Sequence, residues 1–135
     1  MGRRKKASRR ELNDLQSAFG RHCGIRLLEV RDGYARGSMH ITDTHLNRQE
    51  ITHGGALFTL GDKVFGAAIN YSGKNSVTMN VTIDFLRPTR KGDTLIAEAK
   101  RIKHGRTVCV YDITIRSKRE KKKVAIMRSS GYIFA

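Results

Sequence analysis

Cysteine is scarce in this sequence: Cys23 and Cys109 are its only two, they lie far apart, and neither belongs to a CxxC motif. A disulfide framework and a zinc site are therefore not indicated, although a single disulfide between these two cysteines is compatible with the sequence. No apolar run approaches the roughly 18 residues that a membrane-spanning helix needs. The basic N-terminus is not followed by an apolar segment, which argues against a secretory signal. We therefore expect a cytoplasmic protein that has no membrane partner and no bound metal.

Carboxylates are also few: the sequence has 12 Asp and Glu residues and 27 Lys and Arg residues. Its formal net charge is therefore +15. Much of the excess lies in two runs, one within residues 3–10 and the other, RSKREKKK, at residues 116–123. Such runs can bind nucleic acid, anionic lipid or phosphate-rich ligands, but a solvated tail and a solvated turn explain them as well. No aromatic residues are interleaved with them, so stacking of bases is unsupported.

The length of 135 residues suits one domain. We expect a disordered basic tail over residues 1–10 and a single domain over residues 11–135. Leu12, Leu15 and Phe19 have helical spacing, and Ser8 with Glu11 three residues later forms a capping signal at the start of that helix. Gly20 is expected to end it.

The central segment is the most informative part of the chain. Residues 42–52 are polar and form a long loop, which is often a functional element in a compact domain. From Gly54 to Tyr71 apolar residues recur at three- and four-residue spacing, which predicts one long helix that ends in residues 72–75. Glycines inside this helix are costly, about 1 kcal/mol each relative to alanine, so we expect a sheet or a second helix to approach them closely.

Strands account for the rest of the chain. Ile25–Val30 and Tyr34–Ile41 read as a hairpin around Gly33. The run SVTMNVTIDF alternates strictly, so its apolar residues from Val77 to Phe85 are expected on one face and Thr78 on the other. Three more strands follow after short turns, and the four together predict a meander. The expected fold is α+β, with a curved antiparallel sheet wrapped around the long helix.

These residues resemble a known family. The long helix after HGG at residues 53–55, the aspartate at position 62, FLRPTRKGDTLIAEA and GRTVCVYDI are similar to the hotdog-fold acyl-CoA thioesterases of the phenylacetic-acid-degradation type. The resemblance covers roughly residues 15–134. It implies a hotdog fold and the hydrolysis of an acyl-coenzyme A to free acid and CoA without a cofactor. It also implies active sites at the interface of a dimer, two of which pair into a homotetramer. Glu50, where many relatives have glycine, could narrow the pocket or repel acidic acyl groups.

The resemblance also implies roles for single residues. The start of the helix presents unpaired N–H groups and a positive dipole end, so the Gly55 N–H could stabilise the oxyanion of a thioester. Asp62 lies two helical turns further on, about 10 Å away, so it would act on a carbonyl held by the partner subunit's helix. It would serve as general base or nucleophile, and a solvated or ion-paired residue is the structural alternative. The polar residues expected beside them are His53, Asn47 and Thr78.

Coenzyme A carries a diphosphate and a 3′-phosphate, which suit basic side chains on loops at the sheet edge. By resemblance two turns would hold this end, and the predicted CoA-binding residues are Gly54, Arg87, Pro88, Arg90, Lys103, His104, Gly105 and Arg106. The main alternative function is a hotdog scaffold that binds nucleic acid or another polyanion through its basic runs. A hydratase or dehydratase is disfavoured by the order histidine then aspartate, and an acyl-CoA-sensing transcription regulator by the lack of room for a DNA-binding domain.

Overall fold

The protein is described by a computed structural model over residues 5–71 and 75–134. Its helices are α1 (Arg9–Leu15), α2 (Ala18–His22) and α3 (Gly54–Asn70), and a short 3₁₀ turn spans Asp43–His45. Its strands are β1 (Ile25–Arg31), β2 (Tyr34–His40), β3 (Ser76–Phe85), β4 (Thr94–His104), β5 (Val108–Ser117) and β6 (Lys123–Ile133). They form one antiparallel sheet in the order β1-β2-β4-β5-β6-β3, and α3 contacts every strand. The α+β class and the long helix wrapped by an antiparallel sheet are confirmed.

The position of β3 corrects the predicted meander. Only β4, β5 and β6 follow one another in the sheet, whereas β3 pairs with β6 at the far edge and β4 pairs with β2. The connection between β3 and β4 therefore crosses the end of the sheet, where the backbone N–H groups of Leu86 and Arg87 donate to the Val124 carbonyl. The short connection between β3 and β4 in the sequence predicted that these strands pair with each other. In the structure β3 instead pairs with β6, and this strand order lets the sheet curve around α3.

The N-terminal segment differs from its prediction in two ways. The capping box of Ser8 and Glu11 is present, but the helix ends at Leu15 and a second one starts at Ala18, because the Ser17 side chain caps the new helix. Lys6 pairs with β1 through a bridge, so residues 6–10 of the predicted tail take part in the fold. Residues 1–4 of that tail, and residues 72–74 of the predicted helix end, lie outside the described residues.

The core lies between α3 and the concave side of the sheet. Leu60, Val64 and Phe65 of α3 are fully buried in it. Gly61 has no room for a side chain, because an added Cβ would lie 2.0 Å from the Met127 sulfur on β6. The close approach predicted for the helix glycines is thus, at Gly61, an approach of the sheet. In the described part of the chain, no helix is long and apolar enough to cross a membrane.

Candidate active site

The start of α3 forms the first half of the candidate site. His53 is the N-cap of the helix, and its Nδ1 accepts a hydrogen bond of 2.8 Å from the Gly55 N–H. The idea of a free Gly55 N–H therefore needs correction, because a substrate oxygen could reach it only after His53 moves away. The Gly54 N–H, at the first position of the helix, has no hydrogen-bond acceptor among the described residues. Gly54 packs against Phe85, whose ring would lie 3.0 Å from an added Cβ.

A cleft of about 430 Å³ opens at this helix start, and we call it the helix-start cleft. Four predicted site residues line it together with the apolar Leu57 and Phe85: Asn47, Gly54, Arg87 and Pro88. The side-chain oxygen of Asn47, Oδ1, accepts hydrogen bonds from the backbone N–H groups of Gln49 and Ile51, which fixes the loop. Its side-chain NH₂ group has no acceptor in the described part of the chain and is free to donate into the cleft.

Asp62 belongs to a second cleft, about 270 Å³ in volume, which we call the Asp62 cleft. One face of α3 contributes Thr59, Asp62, Lys63, Gly66 and Asn70. The opposite wall comes from the α1–α2 segment and consists of Leu15, Ser17, Phe19 and Gly20. The sequence predicted a helix in this segment but did not indicate that the segment forms a wall of the cleft. Spacing on α3 could have indicated Lys63, because it follows Thr59 by four residues.

Asp62 is half-buried and accepts a hydrogen bond of 2.7 Å from the Thr78 hydroxyl. Because a hydroxyl donated to one carboxylate oxygen fixes the group in orientation, the second oxygen is left to accept a proton from water. The alternative in which Asp62 pairs with Lys63 or Arg48 is not found in the described residues, where its hydrogen-bond partner is Thr78. The structure therefore brings together Asp62 and Thr78, two residues that the sequence placed on different elements.

A β-bulge makes this contact possible. The register of β3 against β6 shifts between Thr78 and Asn80, so Met79 is an extra residue in the strand. Because side chains alternate along a strand, one extra residue exchanges the two faces beyond it. Thr78 before the bulge and Ile83 after it therefore both face α3, and Val77 is half-exposed on the outside. The strict alternation predicted for residues 77–85 was wrong at this point.

The predicted nucleotide turns do not meet within one chain. Arg87 and Arg90 precede β4, whereas Lys103 and His104 are its last two residues and Gly105 and Arg106 follow it. A strand of 11 residues spans about 33 Å from its first to its last Cα at 3.3 Å per residue. That both turns hold one CoA molecule stays a prediction, and this separation favours an arrangement in which each of two subunits contributes one turn. In the second turn Gly105 is needed, because an added Cβ would lie 2.8 Å from the Val108 carbonyl oxygen.

Lys63 lies beside Asp62 in the Asp62 cleft, and its pKa is shifted by its surroundings. Burial lowers the pKa of its ammonium group, Arg21 nearby lowers it further, and Asp62 acts in the opposite direction. Its Nζ donates to the Leu15 carbonyl at the end of α1. No group of three or more His, Cys, Asp or Glu side chains is placed to hold a metal ion within residues 5–71 and 75–134.

Comparison with known proteins gives consistent matches. Residues 49–124 match the family described as Thioesterase superfamily. The acyl-coenzyme A thioesterase PaaI of Escherichia coli K12 is 38% identical over 115 residues, which are 85% of this chain and 81% of that protein. The solved structure of E. coli PaaI, from the phenylacetic acid degradation operon, has a TM-score of 0.85 at 37% identity and covers 89% of this chain and 86% of its own.

Two streptococcal proteins extend the comparison. The Streptococcus mutans protein smu.793, solved with acetyl CoA bound, has a TM-score of 0.78 at 27% identity, over 82% of this chain and 89% of that one. A hypothetical thioesterase of Streptococcus pneumoniae is 26% identical with a TM-score of 0.78, and it covers 82% of this chain and about 90% of its own. It was solved in two variants, in which a threonine or an aspartate is replaced by alanine, and the two positions are 16 residues apart.

Proposed function

This chain belongs to the thioesterase superfamily and is a thioester hydrolase, and we propose that its substrate is an acyl-coenzyme A, cleaved to free acid and CoA. The observation that carries the proposal is the hydrogen bond of 2.7 Å between Thr78 and Asp62 at the Asp62 cleft. The relative with 38% identity is an acyl-coenzyme A thioesterase. The two positions replaced in the S. pneumoniae protein are 16 residues apart, which is also the separation of Asp62 and Thr78.

In the proposed mechanism Asp62 acts as the general base. Its free carboxylate oxygen removes a proton from a water molecule, whose oxygen attacks the thioester carbon. The carbon–sulfur bond then breaks, and the CoA sulfur leaves as a thiolate that takes up a proton. Thr78 holds the carboxylate in the orientation that this proton transfer requires. Direct attack by Asp62 as a nucleophile would also release CoA, but through a mixed anhydride.

The start of α3 supplies the oxyanion donors in this proposal. The Gly54 N–H is open to the helix-start cleft, and the Gly55 N–H joins it if the His53 imidazole moves aside. Asn47 donates its side-chain amide to the same cleft, where it can hold the thioester. Removing one oxyanion donor costs about 2.7–4 kcal/mol in a known case, so these groups contribute substantially to the rate.

The active site is proposed to form between two subunits. Gly55 and Asp62 are separated by two turns of α3, about 10 Å, so one subunit alone cannot bring both to the same carbonyl. Strand β3 is an edge strand whose outward residues Val77 and Met79 are 50% and 55% exposed. Pairing with β3 of a second copy would cover them and satisfy the open strand edge. We place the enzyme in the cytoplasm as a homotetramer, a dimer of such dimers.

In that dimer, the phosphates of CoA contact basic side chains from both subunits. Arg87 of one subunit lines its helix-start cleft and Arg90 follows it three residues later in the chain. Lys103, His104 and Arg106 would come from the end of the partner's β4 and the turn after it. This arrangement keeps the predicted CoA-binding residues and agrees with the separation of the two turns within one chain. The positive net charge of the protein would also speed the approach of the anionic substrate.

The test is release of free thiol from short-, medium- and long-chain acyl-CoAs and phenylacetyl-CoA. Asp62→Asn keeps the shape of the side chain but cannot accept a proton, so we expect kcat to fall at least a hundredfold. The matched control is Asp84→Asn, an exposed carboxylate of β3 on the outer face of the sheet, which should retain wild-type rates. Equal rates for wild type and Asp62→Asn would remove Asp62 from the mechanism. No release from any substrate would refute the acyl-CoA proposal.

A further inference from the structure

The Asp62 cleft contains an ammonium group that the proposed reaction does not use. Lys63 is half-buried, and its Nζ donates one hydrogen bond of 2.5 Å to the Leu15 carbonyl. An ammonium group has three donors, so two remain available. In the described part of the chain, no carboxylate forms an ion pair with Lys63. Partial burial of an ammonium group costs free energy, and a ligand that supplied a further negative charge would offset this cost.

The charges around Lys63 favour an anion. Arg21 lies close enough to lower the pKa of the Lys63 ammonium group, so two cations act on this end of the cleft, against the single carboxylate of Asp62. Ser17 and Thr59 add hydroxyl groups to the wall. Glu50, which could have repelled acidic acyl groups, lies before α3 and does not line this cleft among the described residues.

The polar groups of the cleft favour some acyl groups over others. The cleft has a volume of about 270 Å³ within one subunit. An apolar chain end beside Lys63 would leave its two remaining ammonium donors without acceptors, because the described residues supply the Leu15 carbonyl as its acceptor. A short acyl group that ends in a hydrogen-bond acceptor would supply a further one.

We infer that the Asp62 cleft receives the acyl group and that Lys63 makes the enzyme selective for short acyl-CoAs with a terminal carboxylate. The inference rests on the proposed function. The thioester carbonyl would lie at Asp62, and the far carboxylate would accept hydrogen bonds from the two free Lys63 donors. The Lys63 side chain extends toward the end of α1, which separates this ion pair from the reacting carboxylate. The terminal carboxylate takes no part in bond making or breaking.

The experiment compares glutaryl-CoA with its uncharged isostere 5-methylhexanoyl-CoA. The readout is the ratio of the two kcat/KM values, which reports discrimination between the acyl groups. We expect wild type to favour glutaryl-CoA and Lys63→Met to reduce the ratio at least tenfold, which corresponds to about 1.4 kcal/mol. Lys63→Arg keeps a cation and should keep most of the preference. The matched control is Lys100→Met, an exposed lysine on β4, which should leave the ratio unchanged.

The ratio separates selectivity from a structural role. Methionine retains the apolar stem of lysine, so loss of the bond to Leu15 alone would slow both substrates together and leave the ratio unchanged. That result would overturn the inference while the proposed function stands. A wild type without preference for glutaryl-CoA would also overturn it. If wild type hydrolyses neither substrate nor any other acyl-CoA, the proposed function and this inference both fail.

Discussion

Thr78→Val tests whether the threonine hydroxyl orients the catalytic carboxylate. The substitution keeps the shape of the side chain and removes the oxygen that donates to Asp62 at 2.7 Å. Hydrogen bonds to charged groups contribute about 1.5–3 kcal/mol, which corresponds to a loss of roughly 10- to 150-fold. Because the hydroxyl contacts the base and not the CoA moiety, the loss should appear in kcat, with little change in KM. The assay is thiol release under saturating acyl-CoA.

Two controls accompany this variant. Thr78→Ser restores a hydroxyl at the same position, and we expect it to recover most of the rate. Thr78 is exposed, and valine suits a strand at least as well as threonine, so the free energy of unfolding should change by no more than about 0.5 kcal/mol. A loss of activity without a loss of stability would therefore report on orientation of Asp62.

The double variant makes the reasoning refutable. If Thr78 acts only through Asp62, adding Thr78→Val to Asp62→Asn should cost little beyond Asp62→Asn itself. Losses that multiply would mean that the two residues act independently. A wild-type kcat for Thr78→Val would show that the hydrogen bond has no catalytic role, and an equally slow Thr78→Ser would assign the effect to packing.

Two further predictions concern stability. Gly61→Ala forces a Cβ against the Met127 sulfur and should destabilise the protein by about 1–3 kcal/mol. Gly66→Ala, with no atom within 4 Å of an added Cβ, should stabilise the protein by up to about 1 kcal/mol. Urea unfolding of both variants measures the difference in their free energies of unfolding. A smaller loss of stability at Gly61 than at Gly66 would contradict the close packing of Gly61 against Met127. The hydrogen bond from Arg31 lowers the pKa of Glu29, so this carboxylate stabilises the fold above about pH 4.5 and loses that contribution as the pH falls through its lowered pKa. Glu29→Gln should therefore flatten the acid side of a plot of thermal midpoint against pH, and an unchanged slope would refute the assignment.

Local signals in the sequence were reliable where the structure depends on neighbours in the chain. The helix predicted from Gly54 coincides with α3, because its apolar spacing reports directly on one face of a helix. The Ser8–Glu11 capping box was predicted and is present. The hairpin around Gly33 was also predicted, and its φ of +79° explains the glycine. Each of these features involves residues a few positions apart.

The candidate site was predictable only in part. HGG and Asp62 could be recognised as one pattern, since a single helix carries them at a spacing that the sequence displays. The surroundings of these residues could not be predicted from that spacing. The Gly55 N–H donates to His53, and Lys63 lines the cleft because the α1–α2 segment folds over α3. These facts depend on which segments pack together, and apolar periodicity carries no information about that choice.

The sequence by itself determined the elements, the long central helix, the positive charge and the thioesterase family. Tertiary structure decided that β3 lies beside β6, that one bulge at Met79 turns Thr78 toward Asp62, and that the two basic turns lie at opposite ends of β4. The physical reason is the range of the interactions. Helix spacing and turn chemistry act over a few residues, whereas strand order and register depend on contacts between distant segments that close the sheet around α3.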